Sequence, residues 1–322
     1  STRQLTSPSA TRAIPTLEKI IAQRGAPSAV RSVSTRSPPM MGPARKPNDP
    51  ATWKTPKSPS PAPRRANSLT STKLGENISQ LSEAEEVYAH YMKVLDLIKR
   101  AGISGEISIK PTQLGYDQDQ EACFDYCMKI LKACEAQGTI FWIDMEGSAY
   151  TQGTITLFKR LRAHSTMVGI AIQAYLISTD RDLEELAALG ATIRMVKGAY
   201  LEPASVAFTE KSKVNEQYYK NCIRLLQADA DKPGALLHIA THDTGIQDQI
   251  LAYVAQHGIE KRRYEFAMLY GINTARQLSL AQRGERVRCL VAYGEYWFPW
   301  YMRRLAERPA NIGFVLRNAF KR

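Results

Sequence analysis

The sequence predicts a (β/α)8 barrel, on three observations. Short runs rich in Ile, Val, Leu and aromatic residues recur from Gly105 onward: EISIK to Lys110, IFWID to Asp144, GIAIQ to Gln173, TIRMVK to Lys197, LLHIATH to His242, YEF around Glu265 and RVRCLV to Val291. Each has the length and composition of a buried parallel strand. Helix-period segments separate most of these runs, so the repeating unit is a strand followed by a helix. Most runs also end in a polar or charged residue. In a barrel of this kind all strand C-termini open onto one face, where active sites are built.

The elements follow in order. LTSTKLGENI (Leu69 to Ile78) is the candidate first strand and loop, and it is weak because Thr70, Ser71 and Thr72 stand where apolar residues are expected. A helix follows with Ser82 as expected N-cap and Glu85 completing a capping box. Its stripe of Val87, Tyr91, Val94, Leu95 and Ile98 ends at Gly102. Strand two runs from Glu106 to Lys110, and a helix bearing Cys123, Cys127 and Cys134 leads to strand three at Asp144. A helix from Thr154 to Ala163 precedes strand four, which ends at Gln173. A helix from Arg181 to Leu189, closed by Gly190, precedes strand five. A longer loop and helix to about Asp229 lead to strand six, a helix from Gly245 to His257 to strand seven, and one from Asn273 to Arg283 to strand eight.

Charge divides the chain. Residues 1–75 hold 13 Lys and Arg against Glu18 and Asp49, leaving 30 basic and 29 acidic residues for the remainder. The net charge of +12 therefore belongs to the leading segment and does not argue for a nucleic-acid partner. That segment contains most of the prolines, with TPKSPSPAPRR the densest stretch, and is expected to be largely disordered to about residue 67. A short amphipathic helix from Ile14 to Gln23 fits within it. Its Arg and Ser content also suits a targeting segment or a basic tail for an anionic membrane surface; the plainer reading is a leader that does not conform to the barrel. No apolar run approaches the ~20 residues of a membrane-spanning helix. Five cysteines without a CxxC pair fit buried thiols in a reduced, cytoplasmic compartment.

Cations concentrate at the expected barrel mouth: Lys110, Arg194 and Lys197, then Arg303 and Arg304 on a helical stretch after strand eight. Such a cluster suits an anion, either a substrate carboxylate or a cofactor phosphate. Asp144 is placed to pair with Lys110 or Arg194. His242 lacks a second histidine at ligand spacing, so no metal is expected. No nucleophile elbow, P-loop or GxGxxG is present.

Taken together, ISIKPTQLGYDQD, IDMEGS, IQAYL, RMVKGAYLEP, ATHD, YEFAMLYGI and YGEYWFPWYMRRLAERPAN resemble the proline dehydrogenase family in its single-domain bacterial form, over about residues 74–322. The resemblance implies a distorted (β/α)8 barrel spanning residues 68–322 that holds FAD non-covalently. It implies oxidation of L-proline to Δ1-pyrroline-5-carboxylate and transfer of electrons to a quinone, hence peripheral membrane contact on the cytoplasmic side. By motif, Lys110, Arg303 and Arg304 would bind the substrate carboxylate, and Glu307 would orient Arg303. Asp144 and Arg194 would sit by the reactive part of the isoalloxazine. Tyr200 would pack on the proline ring and Leu269 would add an apolar contact. Met145, Gln173, Val196, Lys197, Gly198, Ala199, Thr241 and His242 would line the flavin.

This chain departs from the family pattern in residues 1–72, at Leu290, where a tyrosine is usual, and at Ala267, where a glutamine is common. Leu290 bears on the choice between proline and 4-hydroxyproline. The alternatives are a dehydrogenase for another cyclic imino acid and a non-catalytic barrel.

Overall fold

The computed structural model describes residues 68–294 apart from 76–77, 229–231 and 233. The expectations for residues 1–67, and those for Arg303, Arg304 and Glu307, fall outside the described residues. Eight strands close a parallel barrel in sequence order, with the first pairing to both the second and the eighth. They are β1 (Ser68–Lys73), β2 (Ser104–Ile109), β3 (Phe141–Ile143), β4 (Val168–Gln173), β5 (Thr192–Val196), β6 (Leu237–Ala240), β7 (Tyr264–Leu269) and β8 (Val287–Tyr293). Between them lie α1 (Leu81–Ala101), α2 (Gln120–Glu135), α3 (Thr151–Arg162), α4 (Thr179–Ala188), α5 (Lys211–Gln227), α6 (Thr244–Gln256) and α7 (Thr274–Gln282).

Alternation along each strand sorts the side chains into two environments. Ile107, Ile143, Ile170, Ile193, Ile239 and Phe266 belong to the apolar layer shared with Tyr91, Ile130, Phe158, Leu186, Tyr218 and Ile250 of the helices. The residues between them face the barrel axis, where the register aligns Thr70 with Glu106, Ser108 with Trp142, Arg194 with His238 and His238 with Glu265. Branched aliphatic residues usually fill this space. Here it holds a column of buried charged and polar groups, with Glu106, Arg194, Glu265 and Arg288 buried together with the His238 ring.

The polar character of β1 follows from that column. Thr70 Oγ1 donates to Glu106 Oε2 at 2.9 Å, while Leu69 joins the apolar layer. A polar residue is stable at Thr70 because its inward partner is a carboxylate. Its end is locked by Tyr91, whose hydroxyl accepts from the Lys73 amide at 3.1 Å and donates to the Ser108 carbonyl at 3.1 Å.

The expected cap of the first helix, Ser82, is displaced by two residues to Gln80. α1 starts at Leu81, and Glu83 Oε1 accepts from the Gln80 amide at 3.0 Å and from Ser79 Oγ at 2.8 Å. Glu83 satisfies the exposed amides at the true first turn, whereas Glu85 instead accepts from Tyr126 on α2 at 2.9 Å. The five cysteines are free and buried, those of α2 against the sheet. Among the described residues no helix is long and apolar enough to cross a membrane.

Candidate active site

Three elements converge at the C-terminal mouth of the barrel. Lys110 follows β2, Asp144 follows β3, and Arg194 lies in the middle of β5. Arg194 sits one inward position below Val196, and its long side chain reaches up to the mouth, where the sequence placed it among the cations. There Arg194 Nη1 donates to Asp144 Oδ1 at 2.9 Å and to Ser108 Oγ at 3.0 Å. Ser108 Oγ in turn donates to Asp144 Oδ1 at 2.8 Å. Lys110 Nζ lies 3.6 Å from Asp144 Oδ2, so the carboxylate is held between two cations.

Burial depresses the Arg194 guanidinium below its ordinary pKa, with Asp144 and Glu106 opposing that shift; guanidinium basicity keeps it cationic at neutral pH. Its Nη2 is buried and has no hydrogen-bond partner among the described residues. A buried donor left without a partner costs about 1–3 kcal/mol, and more when it is charged, a cost that an acceptor placed there would recover.

The remaining motif residues surround this centre. Gln173, at the end of β4, donates through Nε2 to the Glu146 carbonyl at 2.9 Å, tying β4 to the loop after β3. Met145 in that loop is buried. Val196 ends β5, and Gly198 follows with φ of 122°. A Cβ at Gly198 would lie 2.3 Å from the Tyr175 ring, so only glycine lets the chain turn there. Ala199 and Tyr200 come next, and Tyr175 donates its hydroxyl proton to the Tyr200 carbonyl at 3.2 Å. Glu202 accepts from the Ser148 amide at 2.7 Å and from Ser148 Oγ at 2.6 Å. The loops after β3 and β5 are thereby joined.

Lys197 is drawn to one side, with Nζ donating to Asn215 Oδ1 at 2.6 Å and Asp243 Oδ2 at 2.9 Å. Burial works to raise the Asp243 pKa, but Lys197 and the amides of Ile246 and Gly245 outweigh it and hold the carboxyl below its ordinary value. Thr241 and His242 lie on the loop between β6 and α6. The Leu269 amide donates to His242 Nε2 at 3.2 Å, which leaves the proton of the neutral ring on Nδ1. Leu269 pairs in register with Leu290, so two apolar side chains share one side of the mouth.

Below this layer lies a set of residues that the sequence reading did not assign to the site. Arg288 Nη2 is 3.2 Å from Glu106 Oε1, and Arg288 Nε is 3.0 Å from Glu265 Oε1. Burial raises the Glu106 pKa, and Arg288 opposes it. His238 is driven well below its ordinary pKa by burial and then by Arg288, Arg194 and Arg286. The available signal was the spacing of two in EISIK, which puts Glu106, Ser108 and Lys110 on one face.

The profile of the family described as proline dehydrogenase matches residues 62–317. This chain belongs to the proline dehydrogenase family. Proline dehydrogenase 2 of Bacillus subtilis (strain 168) is 37% identical over 255 residues, covering 79% of this chain and 82% of that protein. The proline dehydrogenase of Deinococcus radiodurans is 34% identical over 253 residues, covering 77% and 80%. Among solved structures, proline utilization A (PutA) from Bdellovibrio bacteriovorus superimposes with a TM-score of 0.67 at 22% identity, over 74% of this chain and 29% of that one. PutA from Corynebacterium freiburgense gives 0.63 at 20% identity, over 79% and 30%. This proline dehydrogenase family member thus spans about three tenths of the PutA chains, and that likeness shows the barrel fold.

Proposed function

We propose that this enzyme oxidises L-proline to Δ1-pyrroline-5-carboxylate, with non-covalent FAD as hydride acceptor and a quinone as the final acceptor. The observation that carries the reading is the Lys110–Asp144–Arg194 cluster, gathered from three strands at the mouth of a family-matched barrel. The residues fit a flavin. Its ring edge is rich in hydrogen-bond acceptors, and Arg194 Nη2 is a buried donor without a partner among the described residues. Gly198 lets the backbone pass close, and Gln173, Lys197, Thr241 and His242 flank the mouth with Met145, Val196 and Ala199. When bound, FAD supplies a hydride acceptor at N5.

The protein's part is alignment and charge. Lys110 would take the proline carboxylate together with Arg303 and Arg304, with Glu307 orienting Arg303. Tyr200 and Leu269 would hold the ring, which fixes the carbon next to nitrogen in line for transfer. Arg194 favours negative charge developing beside it, and Asp144 and Ser108 fix its direction. The proline amine must be neutral when hydride leaves, so the rate rises with pH. Quinone use would bring the enzyme to a membrane surface from the cytoplasmic side.

An absorbance spectrum of the purified protein, followed by anaerobic L-proline, tests the reading. A flavin band near ~450 nm that bleaches with proline supports it. Protein without the band, or a band that proline leaves unchanged, overturns it. The Leu269–Leu290 pair favours proline over 4-hydroxyproline, because neither side chain offers a partner to the extra hydroxyl.

A further inference from the structure

Among the described residues the indole of Trp142 is the largest fully buried side chain, and it faces the axis rather than the apolar layer. The Arg194 guanidinium carbon sits 4.2 Å from its ring centroid. Three further neighbours, Glu106, His238 and Gly169, fix its place. Its Nε1 donates to Glu106 Oε2 at 2.7 Å, an oxygen that also accepts from Thr70. The other oxygen of Glu106 lies 3.2 Å from Arg288 Nη2, so the carboxylate that anchors the indole is itself anchored. The His238 ring packs against it with centroids 4.4 Å apart. Trp142 is the register partner of Gly169, where a Cβ would come within 2.6 Å of the indole Cε3 and Cζ3. The glycine leaves the space that the ring occupies.

We propose that Trp142 is a positioning residue for Arg194, a role that rests on the flavin reading above. Hydrogen bonds restrain only one end of this guanidinium, since Nη1 bonds Asp144 and Ser108 while Nη2 has no partner among the described residues. A group held at one end can turn about that end. Contact with an immobile aromatic face removes this freedom, and the attraction between a desolvated cation and the indole face adds to it. Trp142 therefore keeps Nη2 directed at the reacting part of the flavin without touching substrate or cofactor. Glu106, Gly169 and His238 hold the indole in place.

The experiment replaces Trp142 by site-specific fluorinated tryptophans, from one to four fluorines, in the full-length flavoprotein. Fluorination drains the negative face of the ring while nearly conserving its shape. The expected result is a stepwise fall in the maximal rate of anaerobic flavin reduction by proline, reaching about tenfold for the most fluorinated ring. KM should stay within about threefold, and FAD affinity, read by fluorescence quenching, should weaken in the same order. Trp142→Leu provides a second line: its effect on the rate should be about tenfold alone and under about twofold in an Arg194→Met background. A rate and affinity indifferent to fluorine number overturn the proposal, as do equal Trp142→Leu losses in both backgrounds. Wild-type protein whose flavin bleaches with proline while the fluorine series stays flat refutes this role alone. Wild-type protein without flavin refutes the functional reading and this role with it.

Discussion

Arg288→Met tests whether the charge column is held together as its geometry indicates. Arg288 is the ion-pair partner of Glu106, at 3.2 Å, and pairs with Glu265 at 3.0 Å, with side chains exposed by only 7%, 4% and 2%. It also donates to the Leu69 carbonyl at 3.2 Å. After substitution Glu265 keeps Arg286, which lies 3.0 Å away on a half-exposed side chain. Among the described residues Glu106 keeps only the Trp142 and Thr70 donors. Removing one member of a buried pair costs about 3–5 kcal/mol. For a barrel of this size that lowers Tm by roughly 10 °C. The pH dependence carries a sign. Burial already raises the Glu106 pKa above its ordinary 4.5, so the folded state binds more protons than the unfolded state above that value. Its contribution to stability therefore falls as pH rises, and losing Arg288 deepens that fall. The variant's deficit should be largest at neutral pH and shrink as pH approaches 4.5. Thermal melts of wild type and variant across this range are the assay, with Arg288→Met/Glu106→Gln as the relieving double variant. A loss under about 1 kcal/mol at neutral pH, or a deficit that grows on acidification, refutes the reasoning.

Three further outcomes are expected. Gly198→Ala should destabilise by about 1–3 kcal/mol and weaken flavin retention, because its φ of 122° and the Tyr175 ring at 2.3 Å both exclude a side chain; equal Tm and flavin content would contradict this. His238 is neutral when folded and titrates near 6.5 when unfolded, so below that pH the unfolded state binds the extra proton and stability falls. The slope is at most about 1.4 kcal/mol per pH unit, and His238→Gln should flatten it in melts between pH ~5 and ~7. The apolar Leu269–Leu290 wall should give a kcat/KM for L-proline above that for 4-hydroxyproline by no more than about 100-fold, the limit for rejecting an added hydroxyl; a preference for hydroxyproline would show that a polar partner lies there.

The apolar outer face of the barrel was legible because every second strand residue contacts a helix, and such contact selects Ile, Val, Leu and Phe. Lys110 and Asp144 were legible as charges that follow apolar runs, and the structure sets them 3.6 Å apart. Lys197 was equally visible in RMVK, yet its salt bridge to Asp243 could not be read, because Asp243 belongs to the loop after another strand. The Ser82 cap was misplaced because Glu83 and Glu85 lie close together in sequence and only the path of the chain before Leu81 chooses between them. Trp142 escaped notice for the opposite reason, since an aromatic residue in an apolar run looks like core.

The sequence by itself determined the barrel, the family and the face on which the motif residues gather, because local periodicity and strand-end chemistry repeat at every unit. Only the tertiary structure decided what fills the barrel axis. Glu106, Trp142, Arg194, His238, Glu265 and Arg288 come from six different strands, and their pairing depends on the register between neighbours. Buried charges are stable only when each meets its partner, and closure of the sheet is what brings those partners together.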